Sequence, residues 1–146
     1  MKQQFTATAK KLPEGLQVET TSRNFTFLFD EPEELGGTDK SMNPVEGLLC
    51  ALSACQTIVA YSFAKSQGIK LEEFSVDLEG DLDPDGFMGL ADVRNGFQEI
   101  RYTMHFKADN TQEEVEKFAE FIETHCPVGD SIQNGVPMKL AGVKLN

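Results

Sequence analysis

Cationic side chains, cysteine and histidine are scarce in this chain, and tryptophan is absent. Thirteen Lys and Arg stand against 24 Asp and Glu, a net charge of -11, with a pI near 4.5. Such a surface repels nucleic acid phosphates and anionic lipid headgroups, so neither nucleic acid nor a membrane is an expected partner. Three cysteines are an odd number without short regular spacing, which argues against a secreted disulfide framework and for a working thiol. No CxxC is present and only His105 and His125 offer imidazole, so no metal is expected. The opening "MKQQFTATAKK" holds no apolar signal core, and no later segment reads as approaching the roughly 20 apolar residues of a bilayer span. A soluble, cytoplasmic chain is the expectation.

What the chain does have is enough apolar material for one packed core: 40% hydrophobic residues, including 11 Phe, in 146. No repeat, low-complexity tract or clean linker divides it, so residues 1–146 are expected to form one domain.

Residues 4–10 and 17–30 alternate polar and apolar side chains around a "PEG" turn and predict a hairpin or meander, with Arg23 on a strand. "EPEELGGTDKSM" breaks that pattern as a loop. A long helix is predicted over 43–68. Asn43 can cap it, Pro44 suits the first helical position, Glu46 stands where a capping-box carboxylate returns, and Gly68 stops it. Its stripe of Leu48, Leu49, Leu52, Cys55, Ile58, Val59 and Phe63 predicts a central helix covered on several sides, part of it by a second subunit. Two alternating strands follow, 70–82 and 97–109, joined by a long, mobile loop "DPDGFMGLADVRNG". Thr111 then caps a second helix through His125, "CPVGDSIQNG" reads as a short third helix, and "PMKLAGVKLN" as a final strand. The fold class is therefore α+β.

Two cysteines bear on chemistry. Cys126 precedes Pro127 and so reads as an N-cap, facing unpaired N–H groups that favour thiolate; equally, it could simply join two helices. Cys55 alone reads more readily as a small buried hydrophobe. Cys50 lies about 140° away around the helix and stays outside any shared site. Glu46 alone reads as a cap, and Arg23 as a solvated strand residue.

Taken together, "NPVEGLLCALSACQT", "GFQEIRYTMHF" and "HCPVGDSI" resemble the OsmC/Ohr family of thiol-dependent peroxidases, and the likeness covers most of the chain. "DEPEELGGTD" and "DPDGFMGL" resemble its OsmC-like branch. The resemblance implies an intertwined homodimer with the long helix central against curved antiparallel sheets and two sites at the subunit interface. It implies that Cys55 is the peroxidatic cysteine and Cys126 the resolving one, and that they join in a disulfide. It also implies a cation to activate Cys55, for which Arg23 is the candidate, held by a Glu at the start of the long helix. The hydroperoxide-resistance branch has that Glu directly after Asn-Pro. Here Val45 occupies the position and Glu46 follows, about 100° further around the helix, as in the OsmC-like branch.

The expected function is reduction of organic hydroperoxides by a cysteine peroxidase without metal or prosthetic group, re-reduced by an external dithiol, with a lipoyl-type one among the candidates. The alternative is an OsmC-like protein that binds a small hydrophobic ligand or senses oxidant, with little peroxidase activity.

Overall fold

A computed structural model describes residues 1–146. It is α+β, with five strands in two antiparallel sheets and four α-helices. By contacts it falls into two compact units, Met1–Cys50 and Ala51–Asn146.

In the first unit β1 (Thr8–Lys11), β2 (Val18–Ser22) and β3 (Phe25–Phe29) form a meander in the order β1-β2-β3. Ser22 pairs with Phe25, so Arg23 and Asn24 make a two-residue turn, with Arg23 at φ 55°. This corrects the strand position read for Arg23. Its left-handed backbone is one that turns usually give to Gly, Asn or Asp, so the sequence carried no turn signal there. The loop after β3 is organised by Asp30, whose buried carboxylate accepts hydrogen bonds from the backbone N–H of Glu31, Thr38 and Lys40 and from the Thr38 hydroxyl. Those donors, the Thr38 hydroxyl first, hold the Asp30 carboxyl well below the usual carboxylate range.

The regular part of helix α1 is Pro44–Phe63. Its start is the predicted capping box: the Glu46 N–H donates to Asn43 Oδ1 and the Asn43 N–H donates to Glu46 Oε1, both at 2.9 Å. Turns then carry the chain to Gly68 at φ 74°. There the Ile69 N–H bonds the Ala64 carbonyl and the Gly68 N–H bonds that of Lys65, the paired pattern of a helix closed by a left-handed glycine. By length and composition α1 is long and apolar enough to cross a membrane, which corrects the expectation that no segment comes near that. Its Val59 and Ala60 are core residues of the second unit.

That unit is built on β4 (Leu71–Leu82) and β5 (Phe97–Ala108), paired with Phe74 opposite Phe106, Val76 opposite Met104 and Leu78 opposite Tyr102. Alternation sends this row to one face, where Val59, Ala60 and Ala64 of the α1 end and Phe118 and Ile122 of α3 (Gln112–His125) pack against Phe74. The other face is polar, with Arg101 bridging Glu79, Asp81 and Glu99 and His105 bonded to Asp77. Between the strands Asp83 caps a single helical turn, α2 (Pro84–Phe87), inside what the sequence presented as plain loop. Thr111 and Glu114 close a capping box on α3, and α4 (Pro127–Asn134) is the short third helix.

One expectation fails. No strand forms over the last ten residues, and Met138, Leu140, Val143 and Leu145 are exposed. Alternation makes a segment fit for a strand, but a strand also needs a neighbouring backbone to bond. Within the single chain the buried side of α1 is Leu52, Gln56, Val59 and Ala60, while Ile58 is 66% exposed.

Candidate active site

Cys126 ends α3 and caps α4. Its backbone is extended, Pro127 follows at the first helical position, and its sulfur accepts the Gly129 N–H at 3.3 Å. The helix start is thus capped by a thiol, as predicted from Cys-Pro. Cys126 is only 2% exposed. A Cβ added to Gly129 would lie 3.4 Å from the Cys126 sulfur and 3.6 Å from Leu52 Cδ1, so α4 and α1 close tightly over the thiol.

Cys55, half-buried on α1, is near enough to Cys126 for its thiol to act on that of Cys126, and both are free thiols. Burial above all, and then the adjoining Cys55 thiol, push Cys126 up to about 11, against the opposing Gly129 and Val128 N–H groups. The thiolate expected of an N-cap is therefore not favoured at Cys126. Desolvation outweighs the helix terminus, and the sequence, which displays the cap, does not display the burial.

The other residues singled out in the sequence have the following surroundings. Glu46 is exposed and its Oε1 is engaged in the capping box. Arg23 is exposed at its hairpin turn, its guanidinium carbon 4.8 Å from the centre of the Phe25 ring. Cys50 is exposed in the first unit. His125 stacks on Phe121 with ring centres 3.8 Å apart and bonds its carbonyl through Nδ1. Nowhere do three His, Cys, Asp or Glu side chains converge as a metal site.

Sequence reasoning missed three neighbours of the thiols. Gln56, directly after Cys55, is buried with its Oε1 unbonded. Tyr102, on the core side of β5, has its phenol raised above the ordinary value by burial and then by the charge of Glu123 on α3. A signal existed for two of them: Tyr102 is the one hydroxylated side chain in the apolar row Ile100, Met104, Phe106, and Glu123 stands three residues before Cys126.

An α+β chain that brings two free thiols near one another, one on a long helix and the other capping a short one, defines a dithiol protein. The chain belongs to the OsmC-like protein family, whose sequence profile matches residues 37–141. It is similar to the hydroperoxide reductase of Mycoplasma genitalium, 25% identical over 133 residues that span 88% of this chain and 87% of that protein. Among solved structures it is similar to an OsmC-like protein from Mycoplasma pneumoniae, with a TM-score of 0.79 at 22% identity over 91% of this chain and 89% of that one. It is also similar to the organic hydroperoxide resistance protein OsmC from Legionella pneumophila, with a TM-score of 0.64 at 25% identity over 91% of both chains.

Proposed function

We propose that the protein is a two-cysteine peroxidase for organic hydroperoxides. The observation that carries this reading is the proximity of the free thiols of Cys55 and Cys126, close enough for one to act on the other. In the first step Cys55 sulfur attacks the terminal peroxide oxygen. The O–O bond breaks, Cys55 becomes a sulfenic acid, and the substrate leaves as its alcohol. In the second, Cys126 sulfur attacks Cys55 sulfur: the S–O bond breaks, the S–S bond forms, and the Cys126 proton leaves with the hydroxide as water. An external dithiol then reduces the disulfide by exchange, becoming a disulfide itself.

The division of labour follows the environments. Cys55 is half-buried and reachable, whereas Cys126 is sealed, protonated at neutral pH, and already against its target. Arg23 is the cation assigned to activate Cys55. Glu46 contributes through the cap more than through charge, because its carboxylate is already committed to the Asn43 N–H.

A homodimer is part of the proposal. Ala51, Ala54, Ile58 and Tyr61 leave an uncovered, largely apolar strip along α1, and the apolar last residues have no strand to pair with. A second copy in the cytoplasm would cover both.

One observation favours a second reading, a redox-sensing or ligand-binding protein with little turnover: the Glu46 carboxylate is already engaged in the helix cap. Stopped-flow oxidation of the reduced protein separates the two. Rapid thiol loss with a bulky organic hydroperoxide, slower loss with hydrogen peroxide, and sustained turnover with a dithiol are expected of the enzyme. Slow, equal loss with both oxidants and no turnover would establish the sensor.

A further inference from the structure

Of the four buried residues of α1, Leu52, Gln56, Val59 and Ala60, only Gln56 is polar. It is 2% exposed, and its Oε1 is the one buried side-chain nitrogen or oxygen of the chain left without a hydrogen-bond partner. An acceptor left unpaired away from water lowers stability, and a leucine at this position would avoid that loss. Such an atom calls for a donor that arrives with a ligand.

The place of Gln56 on the helix indicates which ligand. The Cys126 sulfur and Leu52 Cδ1 approach one point from two sides, 3.4 and 3.6 Å from where a Gly129 Cβ would lie, so the Cys126 thiol sits over the turn of α1 that holds Leu52. Gln56 stands one turn later on the same buried side, and helical side chains lean back over the turn before them. Its carboxamide therefore leans towards Cys126, beside Cys55, whose thiol acts on that of Cys126. We propose that Gln56 Oε1 is a substrate-binding group that accepts the O–H of the hydroperoxide and holds its terminal oxygen at the Cys55 sulfur. The proposal rests on the two-cysteine reading above.

The oxygen that Cys55 attacks is the one that carries the hydrogen. As the S–O bond forms and the O–O bond breaks, that hydrogen stays on the transferred oxygen, and the departing alkoxide takes up the proton that the Cys55 thiol released. The same hydroxyl, now part of the sulfenic acid, remains within reach of the same acceptor until Cys126 displaces it and it leaves as water. An amide oxygen suits both stages, because it accepts the hydrogen bond without being basic enough to remove the proton.

Gln56→Met and Gln56→Leu fill the position and lack the oxygen. In the full-length reduced protein each is expected to lose the Cys55 thiol about three- to tenfold more slowly than the wild type, with an organic hydroperoxide and with hydrogen peroxide alike, the scale of one hydrogen bond. Diamide, a thiol oxidant with no O–H or N–H to donate, should close the Cys55–Cys126 disulfide of both variants at the wild-type rate. Their thermal melts should lie at or above that of the wild type, since an unpaired buried acceptor has been removed. Unchanged peroxide rates in both variants overturn the proposal and leave the two-cysteine reading standing. Variants that melt lower and close as slowly with diamide as with peroxide also overturn it, by showing that Gln56 supports the packing of α1 instead. A wild type that loses no Cys55 thiol to either peroxide, yet closes the disulfide with diamide, overturns the peroxidase reading and this assignment with it.

Discussion

The thiols of Cys55 and Cys126, far apart in the sequence, lie close enough for Cys55 to act on Cys126, although the two residues sit in unlike surroundings. Cys55 is half-buried in the middle of a long apolar helix, and Cys126 is sealed at the mouth of a short one with a backbone N–H on its sulfur. The pair is asymmetric by construction, and this asymmetry assigns the roles: oxidant can reach one sulfur, and only a neighbour already in place can react with the other.

The first prediction concerns Cys126 and pH. Its folded value, about 11, lies above the 9.0 of an ordinary thiol, so the folded protein retains a proton that the unfolded chain releases earlier. Below pH 9 this group has no effect on the slope of stability with pH. As pH rises from 9 towards 11 the unfolded chain binds fewer protons than the folded one and stability falls. Thermal melts of the reduced wild type should decline through that window more steeply than those of Cys126→Ser, and identical slopes would remove the burial argument. For the same reason iodoacetamide at pH 8 should label Cys55 before Cys126.

The second concerns Glu46. Glu46→Gln keeps an oxygen to accept the Asn43 N–H, so it should hold stability within about 0.5 kcal/mol and leave the rate of Cys55 oxidation nearly unchanged, whereas Glu46→Ala should cost about 1 kcal/mol in denaturant unfolding. A large drop in the oxidation rate of Glu46→Gln would show that the charge acts on the thiol and that the cap is incidental.

Helix starts were legible in the sequence because their signals are local. Asn43-Pro44 with Glu46, Thr111 with Glu114, and Cys126-Pro127 each satisfy backbone N–H groups within one turn, and each forms as expected. What depended on distant residues was not legible. An apolar helix shows no preferred side, so Gln56 was overlooked. The Arg23 turn lacks a glycine, and the end of the chain alternates like a strand with no partner to pair with. The meeting of Cys55 and Cys126 was accessible only through family resemblance, since nothing in the spacing of two residues on different elements brings them together.

The third concerns Arg23, whose positive φ provides an unusually clean variant. Glycine accepts that backbone more readily than arginine, so Arg23→Gly keeps the turn while removing the guanidinium and its contact with the Phe25 ring. If Arg23 is the cation that activates Cys55, the variant should fold at least as stably as the wild type while its Cys55 alkylation profile moves to higher pH. An unmoved profile in a well-folded Arg23→Gly would return the guanidinium to its cover over Phe25.

The last concerns the core beneath the site. Ile122 is fully buried one turn before Cys126, in the cluster with Phe118, Phe74 and the end of α1. Truncating it to Ala removes buried methylene groups and leaves a cavity, at a cost of about 2–5 kcal/mol. Because α3 runs directly into Cys126, looseness there should reach the chemistry unequally. Cys55, placed by α1, should still lose its thiol to hydroperoxide at close to the wild-type rate, while the disulfide should form more slowly and sulfinic acid should accumulate on Cys55. Ile122→Val, a smaller loss of about 0.5–1.5 kcal/mol, should fall between. Mass mapping of both variants after a few equivalents of hydroperoxide checks this. A Cys55–Cys126 disulfide formed as completely as in the wild type, in an Ile122→Ala shown to be destabilised, would mean that α3 does not set the position of the second sulfur.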